Sequence, residues 1–255
     1  MKDELTIKIE TSIKAIKEHE PLEGYFFADS FGKDSGVVKH LLDIAGVKYD
    51  AHHNFTTVDP PQLIRHGLKN HPDTTIDRPK ISMWKLIEKK GFPPTRMIRY
   101  CCSILKERGG RGRVVVTGVR KDESTARSKT ELIAPQKNNP RIIRFNPILD
   151  WTSQDVWEFT YREKIPYCEL YDQGFTRLGC VGCPLSGTKQ MEFEFQFFPK
   201  HYVAYLRAFD RAMKNKPTIA EHYGFQSPLD MMHWWIYGSH LPNDKTTQSL
   251  LSEAT

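Results

Sequence analysis

The sequence predicts an α/β fold: a mostly parallel, twisted sheet with helices on both faces, then an irregular cysteine-bearing segment and a helical C-terminal part. Three observations carry this. Short apolar or β-branched runs alternate with stretches of helical spacing, the pattern of strand–helix crossover units. A small polar loop, "SFGKDS" at residues 30–35, separates the first such run from the helix after it. The 255 residues, 39% of them hydrophobic, suffice for one good-sized core with a smaller appendage. Residues 1–160 are expected to form the α/β domain and 161–255 the region packed on it.

The elements follow in order. "MKDELTIKIETSIKAIKEHE" mixes both charges along an amphipathic helix pattern. Tyr25 to Ala28 reads as a strand, Gly36 to Ala45 as a helix and "VKYDAHHNF" as a second strand. "VDPPQLIRHGLKNH" opens a helix, with Asp59 as its cap and Pro60 at the first helical position, where no N–H is needed. "ISMWKLIEKKG" and "TRMIRYCCSILKERGG" have helical spacing, and the glycines suit a helix stop. "RVVVTGV" and "RIIRFNPIL" are buried-strand runs, with "KERGGRGR" a tight turn into the first. "LDWTSQDVWEF" starts a helix capped by Thr152 with Asp155 in its first turn. "FEFQFFPKHYVAYLRAFDRAMKNK" reads as one long aromatic-rich helix, its rings buried in core or subunit packing.

No run of 18 apolar residues occurs, and the charged N-terminus fits neither a membrane span nor a signal peptide, so a cytoplasmic protein is expected. The net charge of +6 favours anionic ligands or a polyanionic partner. Five cysteines, an odd number, argue against a disulfide framework in a reducing compartment.

A polar loop between strand and helix exposes backbone N–H groups at the positive end of the helix dipole, as bound phosphate requires. Gly32 permits close approach, Ser30 and Ser35 supply hydroxyls and Lys33 supplies a charge. Asp34 either caps the helix or helps to hold magnesium. The spacing is neither that of a Walker A loop nor that of a dinucleotide fingerprint. Cys101 and Cys102 form one thiol pair and Cys180 and Cys183 another. Four thiolates suit a soft metal. An iron–sulfur cluster, zinc and a coincidence of structural cysteines all stand open on spacing alone, although adjacent cysteines are an unusual zinc half-site. Cys168 falls outside the pattern and reads as a small buried hydrophobe.

The order S-x-G-K-D-S after a strand resembles the pyrophosphate loop of the adenine nucleotide alpha-hydrolase-like superfamily, and Phe31 resembles its phosphoadenosine phosphosulfate (PAPS) reductase branch. The Cys-Cys and C-x-x-C pairs are similar to the pattern of adenylylsulfate reductases and related iron–sulfur members. "TGVRKDESTAR" and the stretch from "NPILDWTSQDVWEF" to "LYDQGFTRLGCVGCP" are similar to the family's segments there, so the resemblance covers residues 25–187. It implies that Ser30, Phe31, Gly32, Lys33, Asp34 and Ser35 bind nucleotide phosphates, with Lys33, Asp34 and Arg120 catalytic. Gly118, Arg120 and Arg127 would border the pocket, and Asp59 would touch ribose or phosphate. Asp122 and Glu123 would complete a magnesium site or form a charged turn. Cys101, Cys102, Cys180 and Cys183 would hold a [4Fe–4S] cluster.

The assimilatory reductases use a further cysteine in an E-C-G-x-H type motif, whereas no cysteine follows Cys183 here. The expected activity is therefore that of an iron–sulfur ATP pyrophosphatase, cleaving ATP with magnesium to AMP and pyrophosphate and activating an acceptor for sulfur transfer. Some superfamily members do this on tRNA or DNA, including the DNA phosphorothioation enzymes. The implied partners are an adenine nucleotide, a sulfur donor such as a cysteine desulfurase, a DNA or tRNA acceptor and a second copy of the chain, with no membrane. The alternatives are an adenylylsulfate or PAPS reductase, and a non-catalytic nucleotide- or nucleic-acid-binding module with structural zinc.

Overall fold

The computed structural model describes residues 3–125, 127–136 and 139–241, and the tail "PNDKTTQSLLSEAT" lies outside the described residues. The chain divides into two compact units. The first comprises Met1–Phe55, Pro61–Arg78 and Arg108–Gly179; the second comprises Thr56–Pro60, Pro79–Glu107 and Cys180–Thr255. This differs from a single break near residue 160. Two excursions after strands leave the first unit early, and residues 161–179 stay in it because Ile165 belongs to its core.

The first unit holds a six-stranded sheet in the order β3-β2-β1-β4-β6-β5. Its strands are β1 (Tyr25–Ala28), β2 (Tyr49–Asn54), β3 (Thr75–Asp77), β4 (Val114–Val116), β5 (Ile133–Gln136) and β6 (Asn139–Phe145). All neighbours pair in parallel except β5 with β6. The short β3 and the antiparallel edge β5 have too few apolar residues to show in the sequence pattern. Alternation along β1 sends Tyr25 and Phe27 to the main core and Phe26 to a small cluster with Val115 and Ile142. The main core is completed by Leu5 and Ile9 of α1 (Glu4–Glu18), Val37 and Leu41 of α2 (Lys33–Ala45), and Val156 and Phe159 of α5 (Ser153–Arg162). Over Phe26 runs the expected tight turn, where a side chain on Gly109 or Gly110 would collide with Phe26 or Val115.

Helix α5 has the expected capping box of Thr152 and Asp155. Helix α3 (Pro61–Asn70) begins one residue later than expected, and Asp59 does not cap it. With the helix starting at Pro61, Asp59 lies one residue before the cap position, and its carboxylate accepts the Thr56 N–H at 2.6 Å instead.

The second unit contains α4 (Met83–Lys90), α6 (Thr188–Phe197), α7 (Pro199–Asn215), α8 (Pro217–Tyr223) and α9 (Pro228–Tyr237). The long aromatic helix of the sequence reading is thus broken at Pro199, and the next helix starts at Pro217 just past its expected end, each proline opening a new helix because it cannot continue the old one. Phe195, Phe198, Tyr205 and Phe209 are core, whereas Phe197 is exposed; Tyr205 and Phe209 lie against Trp235, with Trp84 edge-on to Tyr205. The helix expected through "TRMIRYCCSILKERGG" reduces to a π-helical turn, Cys102–Lys106, closed by Glu107 N–H on the Cys102 carbonyl. Residues before it are tied in a Thr95–Ile98 turn. Among the described residues, no helix is long and apolar enough to cross a membrane.

Candidate nucleotide loop and thiol quartet

Strand order reverses between β1 and β4, and ligands of such sheets lie at the carboxyl ends beside that point. The 30–35 loop leaves β1 there. Helix α2 starts at Lys33, three residues earlier than the sequence suggested, so Lys33, Asp34 and Ser35 form its first turn, with Gly32 as N-cap. First-turn N–H groups have no partner in their own helix. That of Lys33 donates to the Tyr171 hydroxyl at 3.0 Å. Ser30 Oγ donates to Ser35 Oγ at 3.2 Å, and Ser35 Oγ to the Gly32 carbonyl at 2.9 Å, drawing the loop into a closed bend.

Asp34 is the electrostatic centre. One oxygen accepts from Lys33 Nζ at 2.8 Å and the other from Arg120 Nε at 2.7 Å. Arg120 also bonds Asp122, the Trp151 carbonyl and Ser153, and is 2% exposed. Expected as a catalytic group, its guanidinium is buried and shared among these acceptors, and through Nε it fixes the Asp34 carboxylate. Gly118 allows this approach, since a Cβ there would lie 2.9 Å from the Asp34 backbone. Arg127 pairs with Glu123, whose other carboxylate oxygen accepts the Arg120 N–H.

Phe31 has a φ of 59°, unusual for a bulky residue. Its ring is turned into the core rather than toward a ligand, 1% exposed, stacked on His53 at 4.1 Å and lying over Gly67. It clamps the loop from beneath. Asp29, which the sequence reading passed over, anchors the same bend: its carboxylate accepts from Phe31 N–H at 2.9 Å, from Thr74 Oγ1 at 3.1 Å and from His71 Nδ1. Burial opposes its charge, but His71, the Phe31 N–H and Ser35 outweigh that and hold the carboxyl below its ordinary value. A depressed pKa contributes stability that is present above the unfolded value near ~3.9 and lost as pH falls through the folded one. Asp29→Asn should therefore destabilise the protein by about 3 kcal/mol at pH 7, a penalty typical of breaking a buried pair. In urea titrations the gap from the wild type should narrow below about pH 4.

The four thiols of the two pairs all lie in the second unit and are half-buried. The turn between Cys180 and Cys183 is tightly built. Val181 N–H donates to the Val58 carbonyl at 2.9 Å, Gly182 N–H to Glu194 at 2.7 Å, and Tyr205 hydroxyl to the Val181 carbonyl at 2.9 Å. Cys101 and Cys102 share a hydrogen bond, which raises the Cys101 thiol and lowers that of Cys102; Lys106 and Arg99 lower Cys102 further. Cys180 and Cys183 also act on Cys101, so the four sulfurs share one electrostatic neighbourhood. Burial pushes Cys180 up to about 11, against the pull of Lys106. Asp59 belongs to this neighbourhood, since it acts on both Lys106 and Cys180. Among the described residues, no group of three or more His, Cys, Asp or Glu is arranged to hold a metal ion.

Residues 24–186 match the phosphoadenosine phosphosulfate reductase domain, a span that includes the loop and both cysteine pairs. The chain belongs to the PAPS reductase family. This family member is 30% identical to an uncharacterized protein of Methanocaldococcus jannaschii over 98% of its own length, spanning 62% of that protein. It is 28% identical to the adenosine 5′-phosphosulfate reductase of Oceanobacillus iheyensis, over 62% of this chain and 70% of the relative. In fold, it is similar to the PAPS reductase of Candida auris, with a TM-score of 0.51 at 18% identity over 71% of this chain and 96% of the other. The FMN adenylyltransferase of Candida glabrata, solved with FMN and an ATP analogue, gives 0.51 at 17% identity over 69% and 62%. What sequence reasoning missed in this PAPS reductase family member is Asp29, His71 and Tyr171. Asp29 was legible as an acid ending a buried strand just before the loop. His71 and Tyr171 reach the loop only through the fold.

Proposed function

We propose that this PAPS reductase family chain is an iron–sulfur ATP pyrophosphatase that activates an oxygen acceptor for sulfur transfer. The observation that carries the reading is the pairing of Lys33 with Asp34 in the first turn of α2, at the carboxyl end of β1. The acceptor oxygen attacks the α-phosphorus of ATP, the bond to the β-phosphate's bridging oxygen breaks, and pyrophosphate leaves; the donor's sulfur then displaces AMP from the adenylylated acceptor. Lys33 and the first-turn N–H groups neutralise the charge that builds on that leaving group. Asp34, fixed by Arg120, holds Lys33 in place. Magnesium bound to the nucleotide would supply further charge neutralisation; Asp34 and Asp122 are the carboxylates wired to the loop, a set that suits a metal shared with substrate phosphates.

The donor set of Cys101, Cys102, Cys180 and Cys183 fits a [4Fe–4S] cluster, which would supply sulfur or electron chemistry when bound. Sulfurs around a single tetrahedral ion, each ~2.3 Å from it, must come within ~3.8 Å of one another. The four thiols share one electrostatic neighbourhood, and adjacent cysteines are an unusual zinc half-site, which together favour the cluster over a single ion. The net charge of +6 suits a DNA or tRNA acceptor. A separate sulfur donor, such as a cysteine desulfurase, completes the scheme.

The relatives named adenosine 5′-phosphosulfate reductases favour a second reading, sulfonucleotide reduction. That chemistry needs a free thiolate. Within these 255 residues only Cys168 stands outside the quartet, and it is 1% exposed with its thiol raised by burial. Anaerobically purified protein assayed with both nucleotides separates the two readings. Pyrophosphate and AMP from ATP are the expected products; sulfite from adenylylsulfate, with ATP untouched, would overturn the proposal.

A further inference from the structure

Tyr171 ends a 3₁₀ turn, Glu169–Tyr171, in the same unit as the loop. Its ring is fixed edge-on against Trp157 at 5.2 Å, and the Lys33 ammonium lies 5.9 Å from its centroid. Its hydroxyl oxygen accepts the Lys33 N–H, yet its own O–H donates to no group among the described residues. The glycine at position 32 points the same way. Gly32 has a φ of −81°, which any residue adopts, so the backbone does not demand glycine there. A Cβ at that position would stand 3.3 Å from the Tyr171 hydroxyl, so the missing side chain makes room for the phenol.

We infer that Tyr171 is a pyrophosphate-binding residue: its oxygen accepts the Lys33 N–H, and its O–H donates a hydrogen bond to the pyrophosphate half of the nucleotide. The inference rests on the ATP-cleavage reading above. A phenol in this position carries the loop's donor array beyond the helix end, where a lysine alone would give charge without direction. Burial raises the phenol's pKa, so it keeps the proton it donates throughout the neutral range.

The test is calorimetric titration of inorganic pyrophosphate and, separately, AMP into the wild type, Tyr171→Phe and Tyr167→Phe. Tyr167, whose hydroxyl bonds Asp172, loses the same group away from the loop. Tyr171→Phe should weaken pyrophosphate about tenfold, as loss of one hydrogen bond to a charged ligand does, with AMP unchanged. Tyr167→Phe should change neither. Gly32→Ala, which presses a methyl against the phenol, should reproduce the selective loss. Unchanged pyrophosphate affinity in Tyr171→Phe would overturn the inference, as would an equal loss for both ligands, the mark of a structural role. Those results leave the wild type binding pyrophosphate; a wild type that binds none would overturn the loop reading as well.

Discussion

Lys33→Met is expected to lower ATP-to-AMP turnover by about 10²–10³-fold, the scale on which a single preorganised charge at a developing anion acts. The side chain is buried, 8% exposed, and its ammonium bonds only Asp34 among described carboxylates. Methionine keeps the stem volume and removes the charge. Arg120 keeps its 2.7 Å hold on Asp34, so the loop should stay in place and the melting temperature should change little. Initial rates of pyrophosphate release, measured beside thermal melts, check both halves. A variant that folds and turns over at the wild-type rate would remove the loop from the mechanism.

Cys180→Ser is expected to abolish the brown visible absorption of anaerobically prepared protein and reduce its iron from about four atoms per chain to near none. Because metal binding contributes to folding, the same variant should melt earlier, and the wild type treated with a chelator should follow it. The turn carrying Cys180 is held by Val58, Glu194 and Tyr205 through backbone bonds that serine does not touch. Cys168→Ser serves as the control, with iron and colour retained. Colourless wild-type protein carrying one zinc would replace the cluster with a structural clip.

The parallel sheet was legible because its strands are short apolar runs at fixed places between helices, and the loop because it is small and polar where a strand meets a helix. Roles within the site were less so. Phe31 looks like a ligand-facing aromatic in the sequence, and only the fold shows that its positive φ turns the ring onto His53. Arg120 reads as a free cation until the β4 exit brings it beside Asp34, which nothing local encodes. Asp59 reads as a helix cap because proline follows it, but the helix starts one residue later, at Pro61, and the carboxylate bonds Thr56. Tyr171 is 138 residues from the N–H it bonds, a distance over which sequence spacing carries no information.

The order in which the chain visits its two units governs how the protein can be made and dissected. The thiol-bearing unit collects three separate stretches, and the last begins at Cys180. During synthesis Cys101 and Cys102 emerge long before Cys180 and Cys183, so the proposed cluster could be completed only after the whole sheet-bearing unit has left the ribosome. Neither unit can be expressed as an uninterrupted fragment. A chain stopped after Gly179 would keep every strand and the loop, yet carry two orphaned insertions whose packing partners had never been translated.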